Sequence, residues 1–322
     1  MTLVRILKDW DWPDLLRQTP GQSGMWDGIR FVLDPVPTCD YLVVLNNRMK
    51  TDTQVRCPPG HVWALMQEPY EPGFTDWLIE RHDHFDRVFT HHIPGEDPRY
   101  VRCPPAIPWH VNKTFDELVA APIPQKTQRL SWIVGDAMDL PGHFKRRLFL
   151  EKLLQDGEID LELYGKAIRY IEDKWDGLAP FKYSLAIENA VSQDLWTEKI
   201  ADCFLSWTVP FYYGCPNILE YFPKEALVII DIDRPAESLE KIKQVMAAGY
   251  WEKHMPALEE ARRRLLYDYQ MFPLLAKLIH SHPGGDGVAA DVTVPLYRRS
   301  LTARARRFRF KLKRRWRKLT FR

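Results

Sequence analysis

The amino-acid sequence predicts an α/β protein built of two Rossmann-like domains facing a cleft, with a basic amphipathic helix at its C-terminus. Three observations carry that prediction. From Leu130 onward short β-rich runs alternate with helical patterns; the first half repeats the theme more loosely; and positive charge concentrates in residues 298–322. With 322 residues, 45% of them apolar, the chain can bury one large or two medium cores.

In chain order, Tyr41–Asn47, His61–Glu68 and His84–His91 read as strands separated by proline-rich turns, which makes residues 1–124 the first, smaller domain. The stretch Val119–Gln128 holds two prolines and few bulky apolar groups, so it suits a linker with a boundary near Pro124. Residues 125–280 form the second domain. Leu130–Asp136 reads as a buried strand, and Pro141 opens a helix, PGHFKRRLFLEKLLQ, in which Phe144 and Leu148, then Phe149 and Leu153, recur at helical spacing. Ile159–Gly165 and Tyr183–Ala190 are strand-like, TEKIADCFLSWT is helical, and Val209–Gly214 and Leu227–Ile232 are continuous apolar runs of strand length. Ser238–Gly249 is an amphipathic helix ended by glycine. Such alternation argues a parallel sheet with helices on both faces. Beyond Ala257 the pattern predicts a helix interrupted around Pro273, a flexible joint at His282–Gly287, and a tail, residues 281–322 forming a third segment.

The formal net charge of +2 conceals an asymmetry. Arg298–Arg322 holds 13 Lys or Arg and no acid, whereas residues 1–297 carry 32 basic and 43 acidic groups. The longest uncharged run, Cys203–Leu219, has 17 residues and is broken by Pro210, Gly214 and Pro216, so no transmembrane anchor is expected. The N-terminus reaches Asp9 without an apolar stretch of signal-peptide length, which predicts no secretion. Five widely spaced cysteines without a C-x-x-C pair read as reduced thiols. The clustered His82/His84 and His91/His92 lack partner ligands at metal-site spacing and are expected to be packing or surface residues. Neither a G-x-G-x-x-G after the first strand nor a P-loop run occurs, which removes support for dinucleotide oxidoreductases and P-loop NTPases.

In the tail, Leu301, Ala305, Phe308, Leu312, Trp316 and Leu319 fall at helical spacing among Arg and Lys. A basic helix with Phe and Trp on its apolar side fits an anionic membrane surface. Nucleic acid needs the charge but not the stripe, and a tail without any partner is the plain alternative.

The segment YSLAIENAVSQDLWTEKIADCFLSWTVPFYYG brings chemistry together. A strand delivers Glu188 and Asn189 to its C-terminal end, where open α/β sheets bind ligands, and Thr197 N-caps a helix with Glu198 and Lys199 in its first turn. A helix N-terminus beside a lysine suits phosphate, and carboxylates or an amide suit sugar hydroxyls. Equally, Thr197 and Glu198 could serve as helix capping, Lys199 as a solvated charge, and Arg146 as one of the surface charges in Lys145–Arg147.

This segment resembles the donor-site signature of the α-1,3/α-1,4-fucosyltransferases, glycosyltransferase family ten. The family pattern is a strand ending F-E-N, a D-Y-x-T-E-K loop and helix, and a V-P-[IV]-x-x-G strand. Here it is matched by Ile187, Glu188 and Asn189, by Asp194 through Lys199, and by Val209, Pro210 and Gly214. KRRLFLEKL (Lys145–Leu153) and LELYGK (Leu161–Lys166) extend the likeness, which covers roughly Leu130–Gly249 and is faint in the first half. The sequence departs at Leu195, where the family has an aromatic that helps hold the nucleotide, with Trp196 next door as a substitute, and at Ile187 for phenylalanine.

The resemblance implies a GT-B-like fold and an inverting glycosyltransferase moving fucose from GDP-fucose to a saccharide hydroxyl. The N-terminal domain would take the acceptor and the C-terminal domain the donor. Arg146 and Lys199 would hold the donor diphosphate, Glu198 donor hydroxyls, and Glu188 with Asn189 would shape the pocket. A same-fold transferase using another nucleotide sugar and a catalytically silent saccharide- or nucleotide-binding module remain alternatives. The family draws its base from a glutamate after an N-terminal-domain strand, and Glu68, followed by Pro69 and then Glu71, is the candidate; a turn carboxylate is the alternative. No D-x-D-like pair stands at a donor-half strand end with a metal role, Asp231 and Asp233 included, so no cofactor or essential metal is expected. Bacterial members carry basic amphipathic C-termini, which implies a cytoplasmic enzyme peripheral on the inner face of the cytoplasmic membrane, with residues 298–322 on anionic lipid and no nucleic-acid partner.

Overall fold

The computed structural model describes residues 1–135, 137, 139–283 and 287–320, with the backbone alone at 317–320. The chain forms two compact units, one of Met1–Ala106 with Met271–Arg322 and one of Ile107–Gln270. The division therefore falls at 106/107 and 270/271 and not near Pro124 and residue 280, and the C-terminal segment belongs to the first unit. The expected linker is instead occupied at its start by a helix, α1 (Phe115–Ala120), whose N-cap Thr114 and Glu117 close a reciprocal capping box.

The first unit holds β1 (Thr2–Leu7), β2 (Met25–Trp26), β3 (Ile29–Val32), β4 (Tyr41–Leu45), β5 (Thr53–Cys57), β6 (Val62–Leu65), β7 (Arg87–Thr90) and β8 (Tyr100–Arg102). Seven of these make one sheet in the order β2-β3-β1-β4-β6-β7-β8, parallel except for the β2–β3 pair. β4 and β6 are buried at every position, as a parallel sheet covered on both faces requires. Tyr41, Val43 and Leu45 face one core with Met271, Phe272, Leu275 and Ile279, whereas Leu42 and Val44 face another with Met66, Trp77 and Val88.

The second unit continues with β9 (Gln128–Ile133), α2 (Pro141–Asp156), β10 (Leu161–Tyr164), β11 (Phe181–Ile187), α3 (Glu198–Leu205), β12 (Val209–Tyr213), β13 (Val228–Ile229), α4 (Pro235–Ala247), α5 (Tyr250–Lys253) and α6 (Met255–Arg264). Its five strands are all parallel in the order β10-β9-β11-β12-β13, the doubly wound arrangement in which the chain reverses direction between the first and third strands. β13 is shorter than expected because Asp231 already turns the chain, its N–H donating to Ser238 Oγ at 3.0 Å. In α2, Phe144, Phe149 and Leu153 point inward, but Leu148 is exposed. Asp136, at the end of the expected first strand, lies outside the described residues.

The helix expected to break at Pro273 breaks earlier. A π turn at Leu265–Tyr269 ends in extended Gln270, and α7 (Met271–Ser281) begins before the proline, which its first turn accommodates. Of the expected joint, residues 284–286 lie outside the described residues. The chain then forms β14 (Ala290–Val294), antiparallel to β5 from Ala290 opposite Cys57 to Val294 opposite Thr53, and ends in α8 (Leu301–Thr320). The C-terminal segment is therefore stitched into the first unit. Among the described residues no helix is long and apolar enough to cross a membrane.

Candidate active site

β11 ends at Ile187 and presents Glu188 beside the β9–β11 switch point, where the two halves of a doubly wound sheet diverge and leave room for a ligand. Glu188 is 2% exposed. Its Oε1 accepts from the Thr197 N–H at 2.9 Å and from Thr197 Oγ at 2.8 Å, and its Oε2 accepts from Lys199 Nζ at 3.0 Å. Thr197 caps α3 in extended conformation, its hydroxyl accepting from the Lys199 N–H at 3.3 Å and from Lys199 Nζ at 2.9 Å. Lys199 also lies 3.4 Å from Glu198 Oε1. The capping alternative and the binding alternative thus describe one arrangement: the cap also orients the lysine.

Gly214 makes the burial of Glu188 possible. A Cβ there would stand 2.4 Å from Glu188 Cγ and 2.7 Å from the Tyr212 hydroxyl. Gly142 does the same for α2, since its Cβ would stand 2.0 Å from the Asn189 carbonyl oxygen. Arg146 lies four residues on, on the same helix face, so the close approach of Gly142 to the strand end carries Arg146 toward Glu188. Arg146 is 5% exposed, which excludes the surface-charge alternative, and its Nε has no hydrogen-bond partner in the protein; nor has Asn189 Oδ1.

Among the described residues, Glu188, Glu198 and Asp202 share this region with Arg146, Lys174 and Lys199. Burial pushes the Glu188 carboxyl upward against the pull of Lys199. Burial would also raise Glu198, but Lys199, Lys174 and His110 hold it well below the usual carboxylate range. Burial opposes the charge on Lys199, and Glu188 with Glu198 nonetheless hold its ammonium above the ordinary value. Arg146 is lowered by burial, opposed by Glu188 and Glu198. His143 closes the entrance to α2: its Nδ1 accepts from the N–H groups of Asp139 and Leu140, both at 3.1 Å, which requires a neutral ring, and burial with Arg146 holds its pKa at about 4.

The structure therefore brings Arg146, Glu188, Asn189, Glu198 and Lys199 to one sheet edge. It adds residues that no motif announced. Asp202, 1% exposed on α3, accepts from the His110 N–H at 2.7 Å and from Lys174 Nζ at 3.3 Å, while Lys174 stands 3.7 Å from Glu198. The only signal for Asp202 in the sequence is its place four residues after Glu198 on one helix. Trp196 does not replace the family's nucleotide-holding aromatic. It is 2% exposed and packs edge-on against Phe222 and Tyr269, so that role is unfilled at both Leu195 and Trp196, each buried. Asp194, at φ +62°, is held by Asn217 Nδ2 at 2.8 Å and by the Tyr221 hydroxyl, a loop-shaping role. Asp233 pairs with Lys145 at 2.6 Å, and among the described residues no group of three His, Cys, Asp or Glu could hold a metal ion.

Glu68 lies in the first unit, two residues past the buried Met66 that follows β6, and it is exposed. Its neighbours are fixed. The Gln67 N–H donates to Asn46 Oδ1 at 2.8 Å, Gln67 Nε2 reaches the carbonyls of Pro105 and Ala106 at 3.2 Å, and the Pro69 carbonyl accepts from Thr75 Oγ at 2.8 Å.

Residues 123–249 match the family described as glycosyltransferase family 10 (fucosyltransferase), C-terminal. The GDP-fucose protein O-fucosyltransferase 3 of Danio rerio is 32% identical over 235 residues, 63% of this chain and 47% of its own length. The 4-galactosyl-N-acetylglucosaminide 3-alpha-L-fucosyltransferase 9 of Homo sapiens is 27% identical over 129 residues, 38% of this chain and 34% of its own length. The chain thus spans about half, or less, of the curated relatives it matches. A solved alpha1,3-fucosyltransferase shares the two-unit GT-B fold with a TM-score of 0.50 at 14% identity, covering 89% of this chain and 90% of that one. The matched region lies within the unit that carries Arg146, Glu188, Glu198 and Lys199, so the likeness to glycosyltransferase family 10 rests on that unit.

Proposed function

We propose that the chain is an inverting fucosyltransferase that moves fucose from GDP-fucose to a hydroxyl of a saccharide acceptor. The observation that carries this reading is Arg146, a buried guanidinium whose Nε lacks a protein acceptor, at the same strand end as the largely buried Lys199. An unmet charged donor is costly unless an anion completes it, and a diphosphate does so with two oxygens at once. Glu198, kept ionised, and Asn189, with its unmet amide oxygen, supply acceptors for sugar or ribose hydroxyls.

In the reaction, Glu68 takes the proton of the acceptor hydroxyl and the acceptor oxygen forms a bond to the anomeric carbon. The bond from that carbon to the diphosphate breaks, its electron pair leaves with GDP, and Arg146, Lys199 and the first N–H groups of α3 hold the developing charge. No cofactor or essential metal takes part in this scheme. The first unit supplies the acceptor side. A protein hydroxyl is a second reading of the acceptor, favoured by the longer and closer match to a protein O-fucosyltransferase than to a saccharide 3-fucosyltransferase.

The same reading places the enzyme in the cytoplasm, peripheral on an anionic membrane face. Supporting it, Leu301, Phe308, Leu312 and Trp316 of α8 are 81%, 65%, 53% and 71% exposed among Arg and Lys. Leu319, the last residue of the expected stripe, has no described side chain.

Thermal denaturation with GDP, UDP, CMP and their sugar conjugates tests the donor, since a ligand of the folded state raises Tm. A rise with GDP and GDP-fucose alone is expected. A rise with another nucleotide discards fucose, and none at all returns the silent binding module. Loss of sedimentation with phosphatidylserine vesicles in Phe308→Ser/Trp316→Ser is the matching test for α8; unchanged sedimentation removes the membrane role.

A further inference from the structure

α8 has an exposed face and a face packed on the first unit. Ala303 and Phe310, seven residues apart, are buried, and between them Arg306 and Arg307 complete a stripe that lies against the loop between β6 and β7. Gly73 of that loop, at φ +81°, meets the helix so closely that a Cβ would stand 2.3 Å from the Arg306 carbonyl oxygen. Phe74 stacks on Phe310 at 5.2 Å between ring centres, and the Arg307 guanidinium lies over both rings at 5.6 and 5.5 Å. Asp76, with no exposed surface, accepts from Arg306 Nε at 2.6 Å and from the Gly73 N–H at 3.1 Å. At the start of the helix, Ser300 Oγ and the Tyr297 hydroxyl each donate to Glu80 at 2.6 Å.

This is the loop that begins at Glu68. Arg306 holds Asp76; the adjacent Thr75 donates to the Pro69 carbonyl and accepts from the Glu71 N–H, both at 2.8 Å. Pro69 is bonded to Glu68, and on its other side Gln67 is tied to Asn46, Pro105 and Ala106. One flank of Glu68 is thus tied to the sheet scaffold; on the other, Tyr70 stacks on His92 at 4.4 Å and the hydrogen bonds of the loop lead to Asp76, which α8 pins from more than 200 residues away in sequence.

We infer that α8 sets the position of the Glu68 loop, with Arg306 as the positioning residue, so that transfer depends on a docked C-terminal helix. The dependence of transfer rests on Glu68 being the base; the docking does not. A carboxylate displaced by about 1 Å can lose up to a hundredfold in rate, and a loosened loop costs a fraction of that.

The test uses the full chain and two readouts, GDP release from GDP-fucose with a panel of saccharide and peptide acceptors, and amide hydrogen exchange. In Arg306→Gln, peptides covering 69–80 should exchange about tenfold faster while β4 and β6 keep their protection. kcat should fall about tenfold with KM for GDP-fucose unchanged, because the donor residues lie in the other unit. Arg306→Lys, which keeps a cation for Asp76, should recover most of both. Gly73→Ala disturbs the same contact from the loop side and should reproduce the loss if Arg306→Gln folds poorly. Unchanged exchange at 69–80 in both variants overturns the docking, and faster exchange with full kcat overturns the coupling. Glu68→Gln separates the two readings: retained turnover there sinks the base assignment, and absent turnover in the unaltered chain sinks the proposed function. In both cases loop exchange still decides whether α8 holds the loop.

Discussion

The two regions proposed to share the chemistry are held in opposite ways. In the second unit, Glu188, Thr197, Glu198 and Lys199 sit at a strand end and a helix N-terminus within twelve residues of one another, the first two buried and the other two largely so, each orienting the next. In the first unit, Glu68 is exposed, and its loop is secured by a helix from the far end of the chain. The difference teaches where rigidity comes from. A buried ionic cluster is fixed by its own pairing, because any member left alone loses its compensation. An exposed carboxylate on a loop depends on how the backbone around it is held.

That contrast is tested most severely at Lys199. Lys199→Met leaves the buried Glu188 without its cation, so stability should drop by about 3–5 kcal/mol in denaturant melts, and the GDP-induced rise in Tm should vanish. By comparison Glu68→Gln should leave the melting midpoint in place while removing turnover. If Lys199→Met unfolds at the same denaturant concentration as the unaltered chain, the cluster is not what fixes this edge.

Gly214→Ala comes next. The added Cβ collides with Glu188 Cγ and with the Tyr212 hydroxyl, both packed in the interior, so relief requires moving Glu188. The expected cost is about 1–3 kcal/mol with weaker GDP binding, read by calorimetric titration. Unaltered affinity would mean that Glu188 does not shape the donor pocket.

How much of this could be read from the chain follows the same contrast. Motifs record residues that cooperate locally: Ile187–Asn189, Asp194–Lys199 and Val209–Gly214 each span one strand, loop or turn, so their order in sequence is their order in space. Arg146 was legible through the resemblance but its burial was not, because the lysine and arginine beside it look the same in a charge run; the Gly142 contact decides it. Trp196 misled, since an aromatic next to an expected aromatic fits a pattern while its side chain joins Phe222 and Tyr269 in the core. The unit boundaries failed for a topological reason. α7, β14 and α8 return to the first unit, and nothing local to residues 271–320 says which sheet they will cover. Asp202 with Lys174 and His110, and Arg306 with Asp76, are pairings across long separations that periodicity cannot see.

A smaller effect concerns pH and acts on both units. His82, whose Nε2 lies 2.9 Å from the Trp77 carbonyl, and His143 are both held at about 4, chiefly by burial. The unfolded chain binds the proton near pH 6.5, so each histidine contributes stability that is complete above that value and is lost as pH falls from about 6.5 toward about 4. The urea midpoint should therefore decline through this window, and the decline should be shallower in His143→Gln, whose side-chain oxygen can still accept an N–H. An equal slope in that variant would leave the entrance of α2 without the neutral ring that its geometry demands.

The smallest expected effect separates neighbours. Arg147 differs from Arg146 by one position on α2, which turns it through about 100° and out of the site. It pairs with Glu151 at 3.2 Å, with the two side chains 54% and 50% exposed, and such a pair one helical turn apart contributes no more than about 0.5 kcal/mol. Arg147→Ala should therefore shift stability within that range and leave the GDP-induced Tm rise intact, whereas Arg146→Ala should abolish the rise. If the two substitutions weaken GDP binding alike, the loss comes from the net positive charge of the helix and not from one buried guanidinium, and the close packing of Gly142 against Asn189 no longer accounts for the site.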